Sequence, residues 1–297
     1  MDKKDDSLPV APMENHRQRE KGILVYPVYS RRSGGLSVGI NLFPDRKCCS
    51  FDCPYCEVFP FSTNADFCPV QMEEDLRATV ATALKQNIVV KDICFSGNGE
   101  PTMSPAFPEA LRLAGTVRAE MSPTAELVLI TNGTGLLQSA IFSLLKDAAG
   151  NTADPLALNI WLKLDAGTAD WYSAMNRSAI SFEKLIAKIK EFVACTPVTI
   201  QTMLCSVDGK GPPPEEERAW EQLVLELVAI AANETSGIRK VQLYGKARPS
   251  LEDPKTSPLP ACYLEKRAAS LRDALASANG PPDTARGNTP PPVEVFP

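Results

Sequence analysis

No run in this chain comes near the roughly 20 consecutive apolar residues that a membrane-spanning helix needs, so a membrane span is excluded. The opening residues are charged and lack an apolar centre, so no secretory signal is read and a cytoplasmic protein is expected. Histidine is nearly missing: His16 stands alone in the polar residues 1–21, has no partner motif, and reads as a solvated bystander on a disordered N-terminal tail. Positive charge is in deficit, with a net charge of −5 and a pI near 5.2. That disfavours a protein that coats nucleic acid electrostatically, although it leaves room for a local basic patch. No cysteine precedes Cys48, and no second C-x2-C pair accompanies Cys53 and Cys56.

The chain has 297 residues, of which 44% are hydrophobic, enough for one large α/β domain with a core. Its nine cysteines are unevenly spread. Clustered cysteines in a cytosolic chain bind metal more often than they form disulfides. The cluster here is Cys49-Ser50-Phe51-Asp52-Cys53-Pro54-Tyr55-Cys56, a C-x3-C-x2-C loop with an aromatic before its last cysteine. Thiolate selects zinc, copper(I) or an iron–sulfur cluster. A structural zinc wants four ligands, and Cys48 or Cys68 could supply the fourth. Three thiolates alone suit a [4Fe–4S] cube with one open iron. Cys94, Cys195 and Cys205 lie in or near apolar segments and read as core thiols.

From residue 22 the pattern alternates strand and helix. Strands are expected at 36–42, 92–96, 126–131, 157–165, 198–204 and 240–244. Helices between them carry apolar stripes: Leu76, Val80 and Leu84; Leu185, Ile186, Ile189, Phe192 and Val193; Trp220, Leu223, Val224, Leu227 and Val228. Ser181 is placed to cap its helix. Alternation of this kind predicts parallel strands with outer helices, as a partial (β/α)6 barrel or a doubly wound sheet. In both, the working face lies at the carboxyl ends of the strands. The cysteine loop, Gly97–Glu100, Asn132-Gly133 and Asp165 all follow strand ends. One domain is expected over 22–279, with a closing helix at 262–275 and a Pro-rich disordered tail at 280–297.

The cysteine loop, Ser30–Asn41, the turn Gly97-Asn98-Gly99-Glu100-Pro101 and the late Val241–Pro249 together resemble the radical S-adenosylmethionine (radical SAM) superfamily, nearest its branch related to the tRNA-wyosine synthases. The resemblance spans roughly residues 23–278. It implies the partial (β/α)6 barrel of the radical SAM type. It also implies a [4Fe–4S] cluster on Cys49, Cys53 and Cys56, and S-adenosyl-L-methionine as cofactor. In this superfamily the open iron chelates the cofactor, and one electron cleaves its sulfonium to a 5′-deoxyadenosyl radical. An external donor such as flavodoxin or ferredoxin is implied as a partner. By the same resemblance Tyr55 lies near the adenine, and Gly97, Asn98, Gly99 and Glu100 meet the methionine amino group.

Asn132 and Asp165 are candidate cofactor contacts at strand ends, with Asp165 suited to a ribose hydroxyl; a plain turn or a helix cap is the alternative for each. Lys163 alternates with Trp161 and Asp165 and so points inward, where a charge is costly unless paired or used. It is the candidate catalytic group, acting on substrate or on the cofactor carboxylate. A structural ion pair with Asp165 or Glu100 is the alternative. Gln201, Met203, Gln242 and Tyr244 alternate similarly, and Arg31, Arg32, Arg177 and Arg248 could together clamp an anion. Three functions are weighed: a radical SAM enzyme on an unidentified small molecule, peptide or modified nucleoside; a glycyl-radical-type activase of a partner protein; and a non-catalytic iron–sulfur or zinc binding protein.

Overall fold

The computed structural model describes residues 22–150, 156–230, 236–278 and 289–297. The expected N-terminal tail, 1–21, lies outside the described residues. The chain's contacts divide it into two compact units. The first comprises residues up to Cys49 with Val58–Thr131 and Asp147–Asn159; the second comprises Ser50–Glu57, Asn132–Lys146 and Ile160–Pro297.

In the first unit the strands run in the order β1 (Val25–Ser30), β2 (Gly35–Asn41), β3 (Val90–Ser96), β4 (Glu126–Thr131). β2, β3 and β4 pair in parallel, with Gly39 opposite Cys94 and Ile93 opposite Leu127. β1 was not expected, and it is antiparallel to β2. It has little alternation to announce it: Pro27 interrupts it, Tyr29 is exposed and it sits at the edge of the path, where proline is tolerated. Helix α1 (Pro69–Lys85) begins on a proline, whose missing N–H costs nothing in the first turn. It buries Met72, Leu76, Val80 and Ala83. Leu84, expected on that stripe, is exposed, because a 3.6-residue period brings Ala83 inward after Val80 instead. Phe95 of β3 meets Phe107 of α2 (Phe107–Met121) edge-on, with ring centroids 5.4 Å apart.

In the second unit β5 (Leu158–Lys163), β6 (Pro197–Val207), β7 (Gly237–Gly245) and β9 (Val293–Phe296) follow in order and pair in parallel. β8 (Thr256–Pro258) is antiparallel to β6. β9 corrects the expectation of a disordered tail at 280–297. Val293, Val295 and their neighbours pair with β7 across Val241–Tyr244, so a short apolar run beyond the prolines finds an open strand edge. Residues 279–288 of that tail lie outside the described residues. Helix α3 (Ser139–Gly150) follows the turn at Thr134–Leu137, and α4 (Ala169–Met175) is short and capped by Thr168.

The side chain of Ser181 caps α5 (Phe182–Val193) by accepting from Lys184 N at 3.3 Å, and the helix buries its expected stripe. α6 (Pro214–Ala229) buries Trp220, Leu223, Val224 and Leu227, and α7 (Ala261–Ala278) buries Leu264, Ala268, Leu271 and Leu275. Among the described residues no helix is long and apolar enough to cross a membrane.

One buried acid of α6 gives a testable pH effect. Glu216 accepts from Gly167 N and Thr168 Oγ1, each at 2.6 Å. Burial raises its pKa, and those hydrogen bonds only partly oppose the rise. A carboxyl raised on folding binds its proton more tightly in the native state. Its stabilising contribution is therefore present at low pH and is lost as pH rises through the folded value. Glu216→Gln is expected to flatten this slope in urea midpoints measured across mildly acidic to neutral pH, with a change below about 1 kcal/mol at pH 7. An unchanged slope would count against Glu216 as its source.

Candidate active site

In the first unit the site begins where β2 and β3 end. Asn41 closes β2, and its Oδ1 accepts from Phe43 N at 3.2 Å and Asn98 N at 3.1 Å. Its amide nitrogen donates to Ile23 O at 3.0 Å. One buried side chain thus fixes the chain leaving β2 and the turn leaving β3. Gly97 adopts φ +107°, a conformation that L side chains avoid, and Asn98 turns inward to donate to Phe43 O at 3.1 Å.

The turn then docks on the cysteine loop. Cys48 N donates to Asn98 O at 3.0 Å, and Glu100 N donates to Cys48 O at 2.8 Å, a parallel bridge between Cys48 and Gly99. A Cβ on Gly99 would lie 1.8 Å from Cys48 O, so only glycine permits this approach. Cys49 leaves directly from that bridge.

Glu100 is buried, and its Oε1 accepts from Thr102 N at 3.2 Å, Thr102 Oγ1 at 2.6 Å and Thr131 Oγ1 at 2.7 Å. It caps the short turn Pro101–Met103 and ties it to the end of β4. The sequence singled out Glu100 as a cofactor contact; the structure gives one of its oxygens three protein donors.

In the second unit the rest of the loop, Ser50–Glu57, is fastened at several points. Asn132 Nδ2 donates to Ser50 Oγ at 2.9 Å, and its Oδ1 accepts from Thr134 N at 3.0 Å and Thr134 Oγ1 at 2.8 Å. Asn132 therefore holds the loop while closing its own turn. Ser178 Oγ donates to Ser50 O at 3.1 Å, and Asp52 N donates to Asn176 O at 2.9 Å. Cys56 N returns to Cys53 O at 3.0 Å, which folds the C-x2-C segment into a tight turn. Thr256 Oγ1 donates to Pro54 O at 3.3 Å, and Arg248 pairs with Glu57 at 2.6 Å.

Asp165 is the hub of this half. Its Oδ2 accepts from Tyr55 OH at 2.5 Å and Asn176 Nδ2 at 3.0 Å. Its Oδ1 accepts from Met203 N at 2.9 Å and lies 3.2 Å from Lys163 Nζ. A carboxylate has about four lone-pair sites. Three protein donors point into them and the Lys163 ammonium pairs beside them, so Asp165 organises the loop.

Lys163 is mostly buried, hydrogen-bonds Tyr244 OH, and sits 5.2 Å and 4.9 Å from the ring centroids of Tyr55 and Tyr244. Burial pulls its pKa down, but Asp165 and Tyr244 raise it further, so the ammonium stays charged. The ion pair with Asp165 weighed from sequence is present. Burial, then Asp165, holds the Tyr55 phenol well above its ordinary value, so it remains a donor.

Gln201 donates to Gln242 Oε1 at 2.7 Å across neighbouring strands. Of the four arginines singled out, Arg248 pairs with Glu57, and Arg177 with Glu252 in a two-point pair.

Two of the three expected metal ligands, Cys53 and Cys56, share the second unit, while Cys49 belongs to the first. All nine cysteines are thiols, and these three are half-buried. Among the described residues no three His, Cys, Asp or Glu side chains stand as a ready metal cage. The donor chemistry nevertheless fits a cluster. Burial and then Asp165 push the Cys53 thiol up to about 12, so it stays protonated until a strong Lewis acid displaces the proton. Cys68 stands exposed at the N-cap of α1.

Asn41, Thr131 and Asn176 each hold a site element and were not singled out from sequence. Asn41 closes a strand before the cysteine loop, a position that could have drawn notice; nothing marks Thr131 or Asn176.

The chain has the fold of radical SAM enzymes. It matches a radical SAM methyltransferase from Sphaerobacter thermophilus with a TM-score of 0.58 and 16% identity over 91% of this chain and 67% of that one. Streptococcus suis SuiB bound to S-adenosylmethionine matches with a TM-score of 0.53 and 14% identity over 84% of this chain and 45% of that one. Among curated proteins it is similar to a UPF0026 protein of Helicobacter pylori strain J99, with 26% identity over 55% of this chain and 52% of the relative. A second UPF0026 protein, from strain 26695, is 29% identical over 42% of this chain and 39% of its own length. The match thus spans about half or less of these curated relatives. No family model matches.

Proposed function

We propose that this protein is a radical SAM enzyme. The observation that carries the reading is the Cys48–Gly99 bridge, which docks the start of the cysteine loop on the glycine turn through two backbone hydrogen bonds. Cys49, Cys53 and Cys56 would hold a [4Fe–4S] cluster, and the backbone of Gly97–Glu100 would receive the methionine end of S-adenosylmethionine. When bound, cluster and cofactor supply one-electron cleavage of the sulfonium and a 5′-deoxyadenosyl radical that abstracts hydrogen.

The protein's own work is orientation and exclusion of water. Asn41 and Asn98 fix the glycine turn, and Asn132 fixes Ser50. Asp165 orients Tyr55 beside the last two cysteines and keeps Lys163 charged. The Lys163 ammonium is the group we assign to an anionic portion of substrate or cofactor. An external electron donor and a cytoplasmic setting belong to the same proposal. The substrate class stays open between small molecule, peptide and modified nucleoside, with the acidic chain weighing against nucleic acid.

The test is anaerobic reconstitution with iron and sulfide, followed by dithionite and S-adenosylmethionine without any partner protein. Release of 5′-deoxyadenosine is expected, read by mass spectrometry. A protein that takes up one tetrahedral zinc and releases none would overturn the proposal.

A further inference from the structure

The sulfur of Cys53 has a second neighbour that no motif marks. Asn176 is 2% exposed. It ends α4, and its amide nitrogen lies 3.6 Å from Cys53 Sγ and 3.0 Å from Asp165 Oδ2. The carboxylate oxygen is an acceptor, which fixes the amide: nitrogen, not oxygen, faces it and the sulfur. The two amide hydrogens then have one acceptor each. The main chain of the same residue receives Asp52 N at 2.9 Å and donates to Tyr172 O at 2.8 Å. Asn176 therefore holds the residue before Cys53 by its backbone and the sulfur of Cys53 by its side chain.

The next residue shows what keeps it there. Arg177 adopts φ +46°, which is rare for a residue with a side chain, and a two-point pair with Glu252 holds it in place. Such backbone persists only when its surroundings over-determine it, and it concentrates at functional sites. A helix end could be closed by many residues without strain. Here the strain coincides with the amide that reaches the sulfur.

We propose that Asn176 is a positioning residue that donates an N–H hydrogen bond to the Cys53 sulfur and thereby raises the reduction potential of the iron–sulfur cluster that Cys53 ligates. The inference rests on the radical SAM reading above. A hydrogen bond to a ligating sulfur withdraws negative charge from it, and so favours the reduced cluster, which carries one more electron. Asp165 limits the effect by holding the other amide hydrogen, and it links the sulfur to Tyr55 through a single carboxylate oxygen.

The experiment compares reconstituted wild type with Asn176→Ala and with Asn176→Leu, which keeps the side chain's bulk without the donor. Iron per chain is measured first, then the cluster's midpoint potential by electron paramagnetic resonance during a redox titration. Both variants are expected to retain wild-type iron and to shift to a more negative midpoint. At the wild-type midpoint the ratio of reduced to oxidised cluster should fall about tenfold, or ~59 mV for a one-electron couple. Wild-type iron with an unmoved midpoint overturns the proposal while leaving the radical SAM reading intact. Wild-type protein that builds no cluster overturns both.

Because the variants disturb a buried residue, a second measurement uses the wild type alone. With 15N in the asparagine side chains, the reduced cluster should show a 15N hyperfine coupling. Its absence overturns the proposal however the variants fold.

Discussion

Cys53→Ala should lose the brown iron–sulfur absorbance and S-adenosylmethionine cleavage together, in a protein that still folds. The cost to the site is large because only three sulfurs share the loop. Outer-shell changes at metal sites commonly lower affinity by about 10–100-fold, and removing a ligand should exceed that. The cost to the fold is small. Cys53 is half-buried beside the cluster of Tyr55, Met175, Met203, Cys205 and Val207, and replacing its SH by hydrogen leaves little cavity, on the order of 1 kcal/mol.

Cys205→Ala is the matched control. Cys205 belongs to that same cluster, is fully buried, and has a thiol that burial and then Asp165 push up to about 12, as for Cys53. Its sulfur contacts Met175 Sδ at 3.9 Å, the setting of a core thiol. This variant should keep its iron and lose a similar amount of stability. Iron per chain, absorbance and urea midpoints read all three quantities. If both variants lose iron equally, or neither does, the ligand assignment to Cys53 is wrong.

The comparison of Cys53 with Cys205 also shows what was legible in the sequence. Burial and then Asp165 raise both thiols, so that shift does not separate them. Spacing does: Cys53 has cysteines four residues before it and three after, and Cys205 has none nearby. The six expected strands are all present, and Glu126–Thr131 matches its expected bounds, because parallel strands buried on both faces leave apolar runs that stand out. β1 and β9 were missed because edge strands need less apolar sequence, and both lie near prolines.

At the site, residue type and strand position singled out Lys163, Asp165 and Asn132, and they allowed the Lys163–Asp165 ion pair. They could not give the other partners. Asp165 stood out because an acid at a strand end often contacts a ligand. Its three hydrogen-bond donors come from Tyr55, Asn176 and Met203, spread over some 150 residues, and only the fold gathers them. The acidic partners of Arg177 and Arg248, Glu252 and Glu57, were out of reach for the same reason, since they are distant in sequence.

Gly99→Ala should be the most disruptive single methyl in the site. The added Cβ would stand 1.8 Å from Cys48 O and 2.7 Å from Cys48 C, both backbone atoms that no rotamer change can move. Relief requires the strands of the bridge to separate, which breaks Cys48 N to Asn98 O and Glu100 N to Cys48 O. Overpacking costs about 1–3 kcal/mol, and each lost hydrogen bond about 1 kcal/mol. A loss of about 3–5 kcal/mol, or roughly 6–20 °C in Tm, is expected.

Gly209→Ala separates this from backbone strain. Gly209 has φ +74°, but a Cβ there meets nothing within 4 Å. It should lose about 1–2 kcal/mol, the cost of a side chain in the left-handed region, and keep its iron. Gly99→Ala should lose iron uptake as well, because the bridge sets where Cys49 leaves the turn. Calorimetry and iron analysis on the two variants decide the matter. If Gly99→Ala loses no more stability or iron than Gly209→Ala, the bridge does not hold the cysteine loop, and the observation that carries the proposed function falls with it.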